Sequence, residues 1–285
     1  FIGRNIIEHL SPKYRIFAPS HQELDLLNEV AVKQYFQRNQ IDIVIHSAVK
    51  PGHRNAKDPS NLCYSNTRMF FNLVRNAALF DRMIFLSSGA VYDVSKNLVK
   101  VSEDSFDTYV PADEHGFAKY ISAKYVENVK NITELRLFGV FGKYEDYSIR
   151  FISNAICKAL HNLPITLKQN RKFDYVYIDD FIPILEYFIQ NNSQHNVYNI
   201  TPNESVELLA IAQTVVRLSG KDIPIHIAQE GMGNEYSGSN NRLRQELSSY
   251  LNPIFNPLEE NVKRLMAWYS DNLNLIDRQL LLFDK

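Results

Sequence analysis

A chain of 285 residues is long enough for a large core and one or two domains. Its 31 Lys and Arg against 32 Asp and Glu exclude nucleic-acid binding by bulk charge, so a few local cations must hold any anionic ligand. Cys63 and Cys157 give neither a disulfide framework nor a zinc spacing, and no apolar run approaches the ~18 residues of a membrane span. The expectation is a cytoplasmic protein with no metal, no membrane and no nucleic-acid partner.

Phe1-Ile2-Gly3-Arg4 runs straight into Asn5 to Leu10, an amphipathic helix. In a nucleotide-binding βαβ unit a strand and the earlier glycines of the phosphate loop precede such a helix, so the first strand is expected upstream of Phe1. Arg15 to Ala18 reads as a short strand ending in Pro19-Ser20. Glu29 to Arg38 reads as a helix with Val30, Val32, Tyr35 and Phe36 on one side. Ile41 to His46 is a continuous apolar run, expected as a strand buried on both faces. Pro59 to Leu79 is a long helix. Met83 to Leu86 is a strand that gives way to Ser87-Ser88-Gly89, where the chain must turn. Asp113 to Val129 is helical and Glu134 to Leu137 is the next strand. The alternation predicts a parallel sheet with right-handed crossovers.

Beyond Gly142 the pattern loosens. Helices are expected over Ile149 to Leu160, Asp180 to Gln190, Val206 to Leu218 and Glu259 to Tyr269. Strands are expected at Ile165 to Leu167, Tyr175 to Ile178 and Val197 to Ile200. Asp179-Asp180 supplies an N-cap for the helix that follows. The predicted fold class is therefore α/β: a doubly wound parallel sheet over residues 1–142, with a smaller mixed region over 143–285 that returns some segments to the sheet.

In an open sheet of this kind ligands bind beyond the carboxyl ends of the strands, which places Ser87 and Ser88 at a ligand. Several motifs occur in order: Gly3, Glu23-Leu24-Asp25-Leu26-Leu27, His46-Ser47-Ala48-Val49-Lys50 and Asn66. Then come Ser87-Ser88-Gly89-Ala90-Val91-Tyr92, Lys119, Arg136 to Gly142 and Tyr177-Ile178-Asp179-Asp180. Together they resemble the extended short-chain dehydrogenase/reductase family, the NAD-dependent epimerases and dehydratases with a Rossmann-type sheet. Within it, Glu23 to Asn28 and Ala48 to Gly52 are most similar to the GDP-fucose synthases and related 4-keto-sugar reductases.

The resemblance implies roles for individual residues. Gly3 would admit the cofactor pyrophosphate to the first helix N-terminus. Asp25 and Leu26 would bracket the adenine, and Ser47, Ala48 and Val49 would pass beneath the cofactor. Asn66, Leu137, Gly139 and Val140 would complete the cofactor site. The second strand ends in Ala18-Pro19-Ser20-His21 without the acid that binds ribose hydroxyls, so Ser20 and His21 point to NADPH rather than NAD. Ser88 would orient a sugar carbonyl and Lys119 would hold the nicotinamide ribose. The family's tyrosine, four residues before that lysine, is His115 here, and it is assigned the proton transfer. Tyr120 and Lys124 have the literal Tyr-x-x-x-Lys spacing, but His115-Gly116-Phe117-Ala118-Lys119 matches the pattern at every other position. Gly89, Arg171 and Lys172 would meet the nucleotide-sugar substrate, the arginine position of the family being Phe173.

The expected activity is NADP-dependent reduction of a nucleotide-linked 4-keto sugar. A dehydratase normally has an Asp-Glu pair where Gly89-Ala90 stands. Related epimerising synthases have a Cys near Ala90 and a His near Ser148, neither present. Epimerase or dehydratase is the second reading, and a non-catalytic nucleotide-sugar sensor on the same fold is the third. A homodimer is expected through a four-helix bundle of the Pro59–Leu79 and Asp113–Val129 helices, with Phe70, Phe71, Leu73, Val126 and Val129 as its apolar faces.

Overall fold

A computed structural model describes residues 1–52, 56–252 and 254–282. The first part of the chain forms α1 (Ile2–Leu10), α2 (Glu29–Arg38), β1 (Ile43–His46), α3 (Leu62–Val74) and β2 (Arg82–Ser88). It continues through β3 (Leu98–Val101), α4 (Glu114–Val126), β4 (Ile132–Leu137), β5 (Val140–Phe141) and α5 (Phe151–Leu160). Next come β6 (Ile165–Asn170), β7 (Lys172–Phe173), β8 (Val176–Tyr177), α6 (Ile178–Gln190) and β9 (Val197–Ile200). The last elements are β10 (Val206–Glu207), α7 (Leu208–Ser219), β11 (Ile225–Met232), β12 (Tyr236–Gly238), α8 (Asn241–Leu247) and α9 (Leu258–Asp271).

The central sheet is parallel in the order β1-β2-β4-β9. Successive strand side chains point to opposite faces, and here each face has its own core. Met83, Phe85, Ile132 and Val197 meet Val32, Phe36, Phe70, Leu73 and Val126 from α2, α3 and α4. Ile84, Leu86, Leu135, Leu137, Tyr198 and Ile200 face α1, α5, α6, α7 and α9. This second core runs without interruption across residue 142, joining α1 to the C-terminal helices. The smaller sheet β10-β7-β12-β3 lies at the same end of the chain's fold as the turn after β2, through Tyr236. Among the described residues no helix is long and apolar enough to cross a membrane.

Several expectations change. Arg15 to Ala18 pairs with no strand among the described residues, and a strand needs a hydrogen-bonded neighbour to form. Among the described residues β1 is the edge of its sheet, with Ile43 to Ile45 half-buried rather than covered on both faces. The long helix predicted from Pro59 is α3, starting at Leu62, followed by a short 3-10 turn at Ala77–Leu79. On α2, Val30 is exposed and only Val32 and Phe36 are buried. Tyr177, not the double Asp, occupies the N-cap of α6; Asp180 accepts instead from the amides of Asn256 and Asn261 (2.7 Å to the latter). The helix predicted from Val206 begins with the strand pair β10, which lies antiparallel to β7. β3, β5, β7, β11, β12 and α8 were not foreseen.

The apolar faces assigned to a dimer are also corrected. Phe70, Leu73 and Val126 are buried in the chain's own core, and Phe71 and Val129 are half-buried against it. The aromatics that α3 and α4 leave outside are Tyr64, 65% exposed, and Phe117, 38% exposed.

Candidate active site at the carboxyl end of β2

Ser88 is the last residue of β2 and caps the 3-10 turn Gly89–Tyr92, its Oγ accepting from the Ala90 N–H at 3.2 Å. The turn is fixed from below by a buried polar chain. Arg136 donates to Glu134 and to the Tyr92 hydroxyl, both at 2.9 Å, and Tyr92 donates to Asn199 Oδ1 at 2.8 Å. A buried ion pair adds little net stability, but with its hydrogen bonds made it holds one geometry.

α4 closes on this turn because residue 116 is glycine. A Cβ there would lie 3.0 Å from the Ala90 carbonyl oxygen and 2.8 Å from Pro111. Asp113 caps the helix by accepting from the Gly116 N–H at 2.8 Å. Lys119 thereby reaches the end of β2, and His115, one helical turn before it, lies on the same face of α4. Lys119 is buried, donates to the Leu86 carbonyl at 3.2 Å, and lies 4.7 Å over the Phe85 ring.

The electrostatics follow from this packing. Burial pushes the Lys119 ammonium down to about 8, with Glu134 opposing. Burial first, then the Lys119 charge, holds the His115 imidazole below its ordinary value; Arg150 acts in the same direction and Asp113 against it. His115 is therefore neutral at pH 7. His46, at the end of β1 and stacked on Phe85 at 5.5 Å, is lowered to about 3 by burial and then by Lys119.

Tyr120 and Lys124 are elsewhere. Both bond Asp107, the phenol by a short hydrogen bond and the ammonium at 3.1 Å, on the exposed side of α4. The hydrogen bond to Asp107 raises the Tyr120 pKa, which makes it a poorer acid.

The residues assigned to a cofactor line the ends of the strands, with varied duties. Gly3 brings α1 against the end of β1: a Cβ would stand 3.3 Å from Ser47 Oγ. Ala48 and Val49 are exposed beyond that strand. Asn66 acts on the protein itself, accepting from the Lys50 N–H at 2.8 Å and donating to the carbonyls of Lys50 and Leu62. It shapes the loop after β1, so its amide is not free for a ligand. Asp25 accepts from the Leu27 N–H at 2.9 Å in a local turn, and Leu26 is held through its carbonyl by Asn72 at 2.8 Å. Leu137 is buried at the end of β4, and Gly139 is needed where a Cβ would lie 2.5 Å from the Asp174 carbonyl oxygen. Val140 pairs with Val176. Ser20 and His21 are exposed, but Glu23 folds back to accept from the Ser20 N–H at 2.7 Å, and Asp25 lies 3.8 Å from His21. This segment thus has carboxylates beside it that Ala18 to His21 do not show. Arg4, at the start of α1, stacks 3.7 Å over the Tyr144 ring.

On the substrate side, Gly89 is buried. A Cβ on it would stand 2.6 Å from the Tyr236 hydroxyl and 2.8 Å from the Phe138 ring. Arg171 is half-buried 5.3 Å over Phe173, and its charge acts on Tyr175 and Tyr236. Lys172 is exposed and pairs across the ladder with Glu207, because neighbouring residues of a strand face opposite ways. Arg242 is engaged with Asp104 at 2.8 Å. Arg150 and Tyr236 were not singled out in the sequence. Arg150 directly precedes the apolar run of α5, which is a weak signal; Tyr236 carries none, since only long-range pairing brings it to Gly89.

These features fit a dinucleotide. Ser87 Oγ and His46 Nδ1 are buried at the strand ends without a hydrogen-bond partner, and α1 starts with no side-chain cap. Residues 1–201 match the model of the NAD dependent epimerase/dehydratase family. The chain belongs to that family. It is 27% identical over 238 residues to the dTDP-4-dehydro-6-deoxyglucose reductase of Escherichia coli, covering 76% of this chain and 72% of that protein. It is 24% identical over 213 residues to the GDP-L-colitose synthase of Yersinia pseudotuberculosis, covering 67% and 69%. Its fold matches that of a GDP-L-fucose synthetase from Naegleria fowleri bound to NADP, with a TM-score of 0.78 at 16% identity over 96% and 92% of the two chains. The family membership places the α/β sheet described above in the Rossmann class.

Proposed function

We propose that the protein reduces the 4-keto group of a nucleotide-linked sugar with NADPH. The observation that carries this reading is buried Lys119 reaching the end of β2 at Leu86, two residues before Ser88, with His115 one helical turn before it on α4. The similarity to a dTDP-4-dehydro-6-deoxyglucose reductase and a GDP-L-colitose synthase supports a nucleotide sugar as substrate. Bound nicotinamide would supply the hydride. Gly3, Ser47 and the α1 N-terminus would hold the pyrophosphate, and Lys119, with two N–H groups left over from Leu86, would hold the ribose. Ser20 and His21, with the NADP of the similar Naegleria structure, support the phosphorylated cofactor.

The chain's own residues then divide the remaining work. Ser88 donates to the sugar carbonyl oxygen. Neutral His115 donates its N–H to the same oxygen and passes that proton as the alkoxide forms; the imidazolate left behind faces the Lys119 charge and regains its proton from solvent. Burial and the Lys119 charge keep the resting imidazole neutral. Arg171 is the cation for the diphosphate. Two copies would associate through the outer faces of α3 and α4, around Tyr64 and Phe117.

The test is NADPH oxidation across a panel of nucleotide 4-keto sugars, compared with Ser88→Ala. Turnover that falls at least 10-fold in the variant supports the reading. Tight binding of nucleotide sugars with no turnover of any panel member would favour the sensor, which the histidine at position 115 keeps in view.

A further inference from the structure

The parallel pair of β6 and β11 keeps one register from Ile165 and Ile225 as far as Gln169 and Gln229. β11 then advances from Gln229 to Met232 while β6 advances only from Gln169 to Asn170. A bulge of this kind re-aims side chains, and Gly231 takes the left-handed φ of 77° that the bend requires. The bulge is held from β6. Gln169 Nε2 donates to the Glu230 carbonyl at 3.3 Å, Asn170 Nδ2 donates to the Met232 sulfur at 3.3 Å, and the Gly233 N–H donates to the Asn170 carbonyl at 2.8 Å. An open cavity of about 350 Å³ results, within the size range of small-ligand sites. Ile227 and Met232 give it apolar walls, and Gln229 and Glu230 line it with polar groups. Glu230 is exposed, and no described residue binds its carboxylate.

The cavity borders the substrate side of the site. Asn170, which lines it, immediately precedes Arg171, and a Cβ on Gly233 would stand 3.6 Å from the Arg171 Cβ. Four residues after Met232, Tyr236 stands over Gly89, the neighbour of Ser88, and four residues of chain reach at most about 14 Å. Cavity, Arg171 and Ser88 therefore follow one another as the base, diphosphate and sugar of a nucleotide-linked substrate do. Similarity to a dTDP-4-dehydro-6-deoxyglucose reductase and to a GDP-L-colitose synthase leaves the base open. We propose that this cavity takes the nucleobase and that Glu230 makes it a guanine site. A carboxylate only accepts hydrogen bonds, and its two oxygens accept side by side. Guanine presents two adjacent donors on one edge, its ring N–H and its 2-amino group, which a carboxylate binds as a pair. Thymine and uracil present one N–H between two carbonyl oxygens, and those oxygens are repelled by the carboxylate. Ile227 and Met232 cover the flat faces of the ring.

The inference rests on the nucleotide-linked substrate of the reductase reading, but binding tests it without turnover. In calorimetry, GDP should bind the wild type about 10–100-fold more tightly than dTDP or UDP, the worth of hydrogen bonds to a charged acceptor. Inosine diphosphate, which differs from GDP only in lacking the 2-amino group, should bind about 10-fold more weakly than GDP. Glu230→Gln, a change of nearly equal size at an exposed position, should abolish the preference for GDP and leave dTDP affinity intact. Arg171→Ala should weaken all four ligands alike. Equal affinities in the wild type, no binding of any of the four, or a Glu230→Gln protein that loses or keeps all four alike would overturn the proposal. GDP selectivity without reduction of any GDP-linked 4-keto sugar would leave the guanine site standing and remove the reductase. Reduction of a dTDP-linked 4-keto sugar with no preference for GDP would do the reverse.

Discussion

Lys119 is a buried cation with one hydrogen-bond acceptor, and removing its charge should stabilise the protein while disabling it. Its pKa falls from 10.5 to about 8. At about 1.4 kcal/mol per pH unit, holding this lysine charged in the fold at pH 7 costs about 3 kcal/mol. The unfolded chain binds the proton more tightly than the folded one between pH 8 and 10.5. Stability should therefore rise with pH across that window, and the penalty is fully present below it. Lys119→Met removes the charge, and it also removes the hydrogen bond to Leu86, a loss of about 1 kcal/mol. The net expectation is a gain of about 2 kcal/mol at pH 7, or roughly 5 °C in Tm for a chain of this size. Urea unfolding of both proteins at pH 7, 8, 9 and 10 measures it. The difference between them should shrink as the pH passes 8. A variant less stable than wild type at pH 7, or a difference that does not change with pH, would refute the reasoning. A second signature is available by NMR: without the Lys119 charge, the His115 pKa should move up toward its ordinary value.

His115→Ala should lower turnover by about 10²–10⁴-fold with NADPH affinity unchanged, while Tyr120→Phe should leave it unaltered because that phenol is engaged with Asp107; steady-state kinetics of the two variants with the reverse outcome would move the chemistry to Tyr120 and Lys124. Calorimetry should show NADPH bound more tightly than NADH, and Ser20→Asp should reverse the order; an unchanged order in the variant would mean that Glu23 and Asp25 already set the preference. Light scattering should find a dimer at micromolar concentration that Tyr64→Asp with Phe117→Asp dissociates, and a monomeric wild type would remove the proposed bundle. Acid unfolding should be steepened by His46, whose folded pKa of about 3 lies below its unfolded value, so stability is lost as pH falls from about 6.5 toward 3; a His46→Phe protein with the same acid midpoint would contradict this.

What the sequence determined by itself is local or periodic. Glu29–Arg38 and Val197–Ile200 have the predicted bounds, and the alternation in β2 divides Met83 and Phe85 from Ile84 and Leu86 as the two cores require. The four-residue spacing of His115 and Lys119 puts them on one helix face whatever the surroundings. Tertiary structure decided everything that depends on a distant partner. Arg15 to Ala18 has the composition of a strand but pairs with none among the described residues, and the apolar residues of α3 and α4 turn inward because the sheet lies on that side. Asn66 and Lys172, polar enough to be offered to ligands, are committed to the Lys50 loop and to the exposed side of β7. Tyr236 reaches Gly89 only through the pairing of β12 with β3 and β7, across more than half the chain. Strand pairing and buried hydrogen bonds join residues with no fixed spacing, so no period in the sequence carries them.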